Sequence, residues 1–368
     1  MILSPVELRH FLHSNPELSF KEYETSRILI KNIRGISDSL IIKTLVGTGI
    51  LVEYRVNDSD YVLFRADIDA LPIREQTDSE YKSRNEFMHA CGHDVHTAIL
   101  YGFIQWVVQN RVNQNSLFLF QPGEEEGAGA KKVVDSGILS DYRINSAYAL
   151  HVTDEYPYAS IATCTGSLFA SSLELDIDFE GKSAHITQPE KGINVLHAVK
   201  LFLEEAEIIS SKQKDKIIFG VGKINAGEAR NIIPNYAHIE TTIRGKDSES
   251  IVKLINELNS LSESIAHRTG TIIKFIEGKK YPDVNIDHKL LDKIKPVLSS
   301  KYAWIDCNMT YKAEDFGYYS QIYPSFYFWL GTFQNISYGL HSPCFLPPDS
   351  IIDVGIDIYK LIISNISD

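Results

Sequence analysis

Long apolar runs and an excess of basic charge are what this chain most plainly lacks. No window approaches the ~20 apolar residues that span a bilayer, and the opening Met-Ile-Leu-Ser-Pro-Val-Glu-Leu-Arg-His-Phe-Leu has no basic stretch ahead of an apolar segment of the secretory kind. The expectation is a cytoplasmic protein with no membrane partner. Lys and Arg number 36 against 48 Asp and Glu, a formal net charge of −12. With no basic stripe to neutralise phosphates, nucleic acid is not expected as a partner either. Four cysteines, Cys91, Cys164, Cys307 and Cys344, are scattered rather than spaced as a framework, which argues against a disulfide scaffold. Low-complexity runs and internal repeats are missing too. What is there is an ordinary globular composition, 44% hydrophobic and 23% charged, over 368 residues. That length exceeds the usual single domain, so two domains with a sizeable core are favoured.

Apolar residues at helical spacing (Leu8, Phe11, Leu12, then Ile28, Leu29, Ile33), interrupted at Asn15-Pro16, predict two helices near the start. Residues 49–55, 61–67 and 116–121 are β-rich or continuously apolar runs of buried-strand type. Between the last two, residues 96–109 predict a helix that carries the chain across as a crossover unit. The fold class expected is therefore α/β, a mostly parallel sheet flanked by helices. In such sheets functional groups gather outside the carboxyl ends of the strands, where Asp67, Asp69, Glu124 and Glu125 fall.

From about Thr165 the texture changes. Residues 172–180 alternate strictly, the pattern of a sheet with one face covered and one wet. Helices at 194–210 and 248–268, with strands at 217–222, 237–244 and 271–277, complete a β-α-β-β-α-β order, a ferredoxin-like split βαβ module. The expected division is 1–164 for the first part of the larger domain, 165–277 for an inserted α+β module, and 278–368 for the return, with 326–331 completing the first sheet.

His89-Ala-Cys-Gly-His-Asp-Val-His96 packs three imidazoles, a thiol and a carboxylate into a few residues beside the predicted helix. Thiolate and imidazole suit zinc and its transition-metal neighbours, and glycine between Cys91 and His93 relieves a tight turn. An isolated Cys-x-His reads equally as a helix start with a buried cysteine, and an isolated Glu run is ordinarily a polar turn. Here Gln121-Pro-Gly-Glu-Glu-Glu follows an apolar strand, His151 follows another, and Leu340-His341-Ser-Pro sits in the closing segment. Two adjacent glutamates at a strand end can divide the labour, one holding metal and the next taking a proton from water.

These residues resemble a known group of enzymes, the metal-dependent aminoacylases, hippurate hydrolases and auxin-conjugate amidohydrolases, with the N-acetyldiaminopimelate deacetylases among them. The similarity is collinear over nearly the whole chain: Ala66-Asp-Ile-Asp-Ala-Leu-Pro72, Met88-His-Ala-Cys-Gly-His-Asp94, Gln121-Pro-Gly-Glu-Glu125, His151, Gly181-Lys-Ser-Ala-His185, Asn231-Ile-Ile-Pro234, Glu314-Asp-Phe316 and His341-Ser-Pro. The resemblance implies two divalent metal ions per subunit (Mn, Zn, Ni or Co) held by Cys91, His93, Glu125, His151 and His341, with the Cys91 thiolate bridging. It implies Glu124 as general base and Asp69 as the residue that orients the centre, with Asp67 behind the ligands. It also implies that the inserted module is a lid and dimerisation domain, that His185 polarises the scissile carbonyl, and that Asn231 and Arg244 meet the substrate carboxylate. The activity implied is hydrolysis of the amide bond of an N-acyl amino acid, by two cations, one base and one lid in a homodimer. Dipeptidases and carboxypeptidases that use the same centre are the alternative. Gly123 stands where the group often has alanine, Glu126 where it usually has glycine, and Ile186-Thr-Gln where small residues usually follow the lid histidine.

Overall fold

The structure, a computed structural model, describes residues 2–366. The chain forms two compact units. The first runs to Leu168 and takes in Val284–Asn308 and the segment from Asp315 onward; the second is Phe169–Asp283 with Met309–Glu314.

The first unit opens with α1 (Pro5–Ser14) and α2 (Tyr23–Ile36), then β1 (Ile41–Leu45), β2 (Gly49–Tyr54), β3 (Tyr61–Asp67), α3 (His93–Gln109), β4 (Ser116–Gln121), α4 (Gly129–Asp135), β5 (Ile144–Pro157), β6 (Ile161–Thr163) and β7 (Gly166–Phe169). The second holds β8 (Ser171–Glu180), α5 (Val195–Ser211), β9 (Ile218–Ala226), β10 (Tyr236–Gly245), α6 (Ser248–Thr269) and β11 (Ile272–Tyr281). The chain closes with β12 (Val284–Ile286), α7 (His288–Ser299), β13 (Trp304–Asp306), α8 (Gly317–Ser320), β14 (Ser325–Phe333) and α9 (Ser350–Ile366).

An eight-stranded sheet, in the order β1-β2-β4-β3-β5-β14-β6-β13, organises the first unit. Its centre, β4-β3-β5-β14, is parallel throughout, as the α/β reading expects. Antiparallel pairs flank that centre, and the outer β6 and β13 are parallel again. Every residue of β2, β3 and β4 is buried, which explains why their apolar residues run consecutively instead of alternating: strands covered on both faces have no wet side to alternate with. The parallel centre aims the ends of β3, β4 and β5 the same way, so residues that follow them gather at one edge.

α3 begins at His93, three residues before the predicted start at His96. Its N-cap is Gly92 in the left-handed conformation (φ 85°), with no side-chain cap, so the Ser, Thr, Asp or Asn that announces a helix start is missing. The consequence is functional, because His93 and His96 both lie in the first turn.

In the second unit the order β11-β8-β10-β9 is antiparallel at each pairing. Leu173, Leu175, Ile177 and Phe179 of β8 face inward with Ile239 and Ile243 of β10, packed on Phe202 of α5 and on Leu254 and Leu258 of α6. Glu174, Asp176, Asp178 and Glu180 take the opposite face, which is the period-two pattern made physical. No helix among the described residues is long and apolar enough to cross a membrane.

Candidate metal centre

Six side chains from four separate segments meet at the carboxyl edge of the first unit's sheet. Cys91 and His93 straddle Gly92, where a Cβ would come within 2.4 Å of the Val152 side chain and the left-handed backbone already disfavours any other residue. Glu124 and Glu125 lie on the turn that leaves β4, and His151 stands within β5. His341 comes from the loop before α9; it has a left-handed backbone (φ 64°), and its N–H donates to the Ala90 carbonyl at 2.9 Å, which ties it beside Cys91. A non-glycine residue in that region is costly and is found where the surroundings over-determine it.

Ligand atoms of Cys91, His93 and His151 lie within 4.8 Å of one another, as do those of Cys91, Glu125 and His341, so two triads share one thiol. The Cys91 Sγ is 3.3 Å from His151 Nε2, and Glu125 Oε1 is 3.9 Å from His93 Nε2 and 3.5 Å from His341 Nε2. His93 Nδ1 donates to the Asp69 carbonyl at 2.9 Å and His151 Nδ1 to the Val152 carbonyl at 2.7 Å. A carbonyl only accepts, so these bonds assign the Nδ1–H tautomer and leave each Nε2 lone pair turned to the cluster. His93 Nε2 and Glu125 Oε1 are buried with no hydrogen-bond partner, an arrangement that a cation would satisfy. His96 is different. Its Nδ1 donates to Asp67 at 2.6 Å and its Nε2 accepts the Val152 N–H at 2.9 Å, so it has no lone pair to spare although Asp67, His93 and His96 also cluster.

The electrostatics fit the same donors. Burial pushes the Cys91 thiol well up, and Glu125, Glu124 and Asp67 push it further. Burial opposes charge on His93, yet Asp67, Asp69 and Glu125 outweigh it and raise the imidazole to about 10. Burial, with His96 beside it, holds His151 well below its ordinary value, in the neutral form that ligates. Positive charge is what these surroundings favour, and a divalent cation would supply it while displacing protons from thiol and imidazole.

A frame of distant residues fixes the donors. Asp69 Oδ2 accepts the Ser19 hydroxyl at 2.7 Å and the Glu125 N–H at 2.9 Å; the Ser19 oxygen in turn accepts the Glu126 N–H at 3.1 Å, and Glu22 accepts the Gly123 N–H at 2.9 Å. At Gly123 (φ 66°) a Cβ would sit 2.3 Å from the Phe20 ring, which accounts for glycine there. Behind Asp67, the buried Arg65 donates to Asp67 at 2.7 Å, to Asp315 at 2.7 Å and to Gln121 at 2.9 Å. Sequence reasoning passed over Ser19, Glu22 and Arg65, and counted His96 in its imidazole cluster without a role. Of the three passed over, only Arg65 left a signal, a charge inside an apolar strand run.

His185, Asn231 and Arg244 belong to the second unit. His185 bridges Ile232, Ile186 N–H donates to the Asn231 carbonyl at 3.0 Å and Ile233 N–H to the Ala184 carbonyl at 2.8 Å, so two of the quoted motifs are paired backbone to backbone. His185 and Asn231 are exposed, with His185 Nδ1 at 2.7 Å from the Thr187 hydroxyl. Arg244 is half-buried near the end of β10, opposite Ser172 of β8.

Peptidase family M20/M25/M40 matches residues 63–365 of the chain. An N-acetyldiaminopimelate deacetylase of Oceanobacillus iheyensis is 34% identical over 97% of this chain and 98% of its own, and one of Exiguobacterium sibiricum is 32% identical over 96% of each. A solved Bacillus subtilis structure, a dinuclear metal-binding peptidase of the M20 family, has a TM-score of 0.85 at 27% identity and covers 98% of this chain and 96% of its own. Across nearly its whole length, then, the chain belongs to peptidase family M20/M25/M40 and is a hydrolase of carbon–nitrogen bonds.

Proposed function

We propose that this hydrolase removes the acyl group from N-acyl amino acids of the N-acetyl type, N-acetyldiaminopimelate among them. The observation that carries the reading is the shared thiol: two ligand triads meet at Cys91, with Glu124 on the same turn as Glu125. Cys91, His93 and His151 would hold one divalent cation (Mn, Zn, Ni or Co) and Cys91, Glu125 and His341 the second. When bound, the pair supplies Lewis acidity that makes water a better acid and polarises the amide carbonyl. Glu124 accepts the proton of the attacking water as its oxygen bonds to the acyl carbon. It then returns that proton to the amide nitrogen as the carbon–nitrogen bond breaks, and the acid passes its remaining proton to the amine, so that a carboxylate and an ammonium leave. Asp69 keeps the turn and His93 in place through the bonds described above. His185 donates to the developing oxyanion, and Asn231 and Arg244 take the substrate carboxylate.

The protein works as a cytoplasmic homodimer joined through the second unit. β9 supports that reading, because it is an edge strand with Val221 and Ile224 exposed, the kind of edge that a second copy covers. The test is a panel of N-acetyl and N-benzoyl amino acids, N-acetyldiaminopimelate and dipeptides, run with each metal and with bound metal counted. Turnover of N-acyl amino acids with two metals per chain is expected. Faster turnover of dipeptides would make the enzyme a dipeptidase, and one metal per chain would reject the shared-thiol centre.

A further inference from the structure

Two thiols outside the metal centre stand opposite one another. Cys164 follows the last residue of β6 and Cys307 the last residue of β13. These strands pair in parallel with Asp306 opposite Thr163, and the Cys307 N–H donates to the Thr163 carbonyl at 2.9 Å. In a parallel ladder a residue that bonds the carbonyl of position i−1 lies opposite position i, so Cys307 continues the register opposite Cys164. Side chains in register leave a sheet on the same face. Adjacent strands lie about 4.8 Å apart, inside the roughly 4.4–6.8 Å between Cα atoms that a disulfide spans. Both thiols are partly exposed, and both are free.

We propose that Cys164 and Cys307 form a reversible dithiol–disulfide site, closed by low-molecular-weight disulfides such as oxidised glutathione. The bond would close a loop that contains all of Phe169–Asp283, the inserted segment of the second unit.

Cys307 reacts first. Burial raises both thiols, Cys164 to about 12 with Cys307 adding to the rise, whereas the Tyr156 hydroxyl works against the rise at Cys307. Cys164 is also engaged, its S–H donating to the Ser167 carbonyl at 3.4 Å. The Cys307 thiolate attacks one sulfur of oxidised glutathione, forming a mixed disulfide and releasing one glutathione thiolate. Rotation of Cys164 away from Ser167 lets its thiolate attack the Cys307 sulfur and release the second. Two protein thiols lose two protons and two electrons, and the oxidant gains them as two thiols. Raised thiols make this slow, so the exchange belongs to sustained oxidation rather than to turnover.

The test treats the full chain with a series of oxidised-to-reduced glutathione ratios at mildly alkaline pH, blocks remaining thiols and maps peptides without reduction. The expected product is one peptide pair joined through Cys164 and Cys307, reopened by dithiothreitol. In Cys164→Ser the reaction should halt with glutathione on Cys307. Recovery of both cysteines as separate blocked or glutathione-bearing peptides across the series, or a bond from either to Cys91 or Cys344, overturns the proposal. The wild-type chain alone decides it, whatever the serine variant does.

Discussion

At the carboxyl edge of β3, β4 and β5 the first unit holds ionisable groups almost wholly out of water: Arg65, Asp67, Asp69 and His93 are each no more than 1% exposed. In the second unit His185 and Asn231, proposed to meet substrate, lie on exposed, paired segments, and the interior is apolar, with Phe202, Leu254, Leu258 and the inward residues of β8 and β10. Buried charge has to be paired and oriented, so the first unit spends long-range hydrogen bonds on it; an apolar two-layer core makes no such demand. Chemistry can thus be placed on a rigid polar frame in one unit and on a replaceable surface in the other.

The largest expected effect falls on the proposed proton carrier. Glu124→Gln should keep both metals and the unfolding transition while lowering kcat by about 10²–10⁴, the usual worth of a positioned general base. Retained turnover with full metal content would remove Glu124 from that role. The next pair of substitutions sets the two kinds of interior against each other. Arg65→Met leaves Asp67 and Asp315 buried without their cation, which should cost about 3–5 kcal/mol and lower metal affinity. Phe202→Ala should cost a similar ~3–5 kcal/mol through a cavity, with metal affinity unchanged. Urea unfolding and metal titration of both variants check this, and equal effects on metal affinity would erase the contrast between the units.

A second buried ionic cluster in the first unit makes its stability depend on pH. His13 lies 2.9 Å from Asp94 and 3.3 Å from Glu75; burial opposes its charge, but these carboxylates raise it from its ordinary 6.5 to about 9. A group raised in the folded state stabilises fully below its unfolded value and ceases to as pH climbs through its folded value. Between pH 6.5 and 9 up to roughly 3 kcal/mol should therefore be lost. His13→Gln should flatten the slope of unfolding free energy over that window. An identical slope in the variant would assign the pH dependence elsewhere.

Much of this could be read from residues alone, and the reasons for the remainder are physical. Period-two alternation in β8 and consecutive apolar residues in β3 and β4 report burial directly, so the parallel sheet and the inserted module were legible. The start of α3 was not, because Gly92 caps it by conformation rather than by a side chain. Cys91 and His93 stood out by chemistry and spacing. Ser19 meets Asp69 from 50 positions away and Arg65 meets Asp315 from 250, distances over which only the folded chain decides which polar groups meet. Cys164 and Cys307 read as scattered for the same reason.

The smallest effect belongs to Ile186, which follows His185 and is 45% exposed. A surface residue with so little burial contributes within about 0.5 kcal/mol to stability, so Ile186→Ala should unfold like the wild type and keep its metals. It nevertheless directly follows the histidine proposed to meet the acyl carbonyl. If it narrows the acyl site, Ile186→Ala should shift the ratio of kcat/KM for N-benzoyl over N-acetyl substrates upward by several-fold, about what one or two methylenes are worth in an apolar pocket. An unchanged ratio would place Ile186 outside the acyl site. A changed ratio at unchanged stability would show that the second unit tunes specificity on a surface which its core does not depend on.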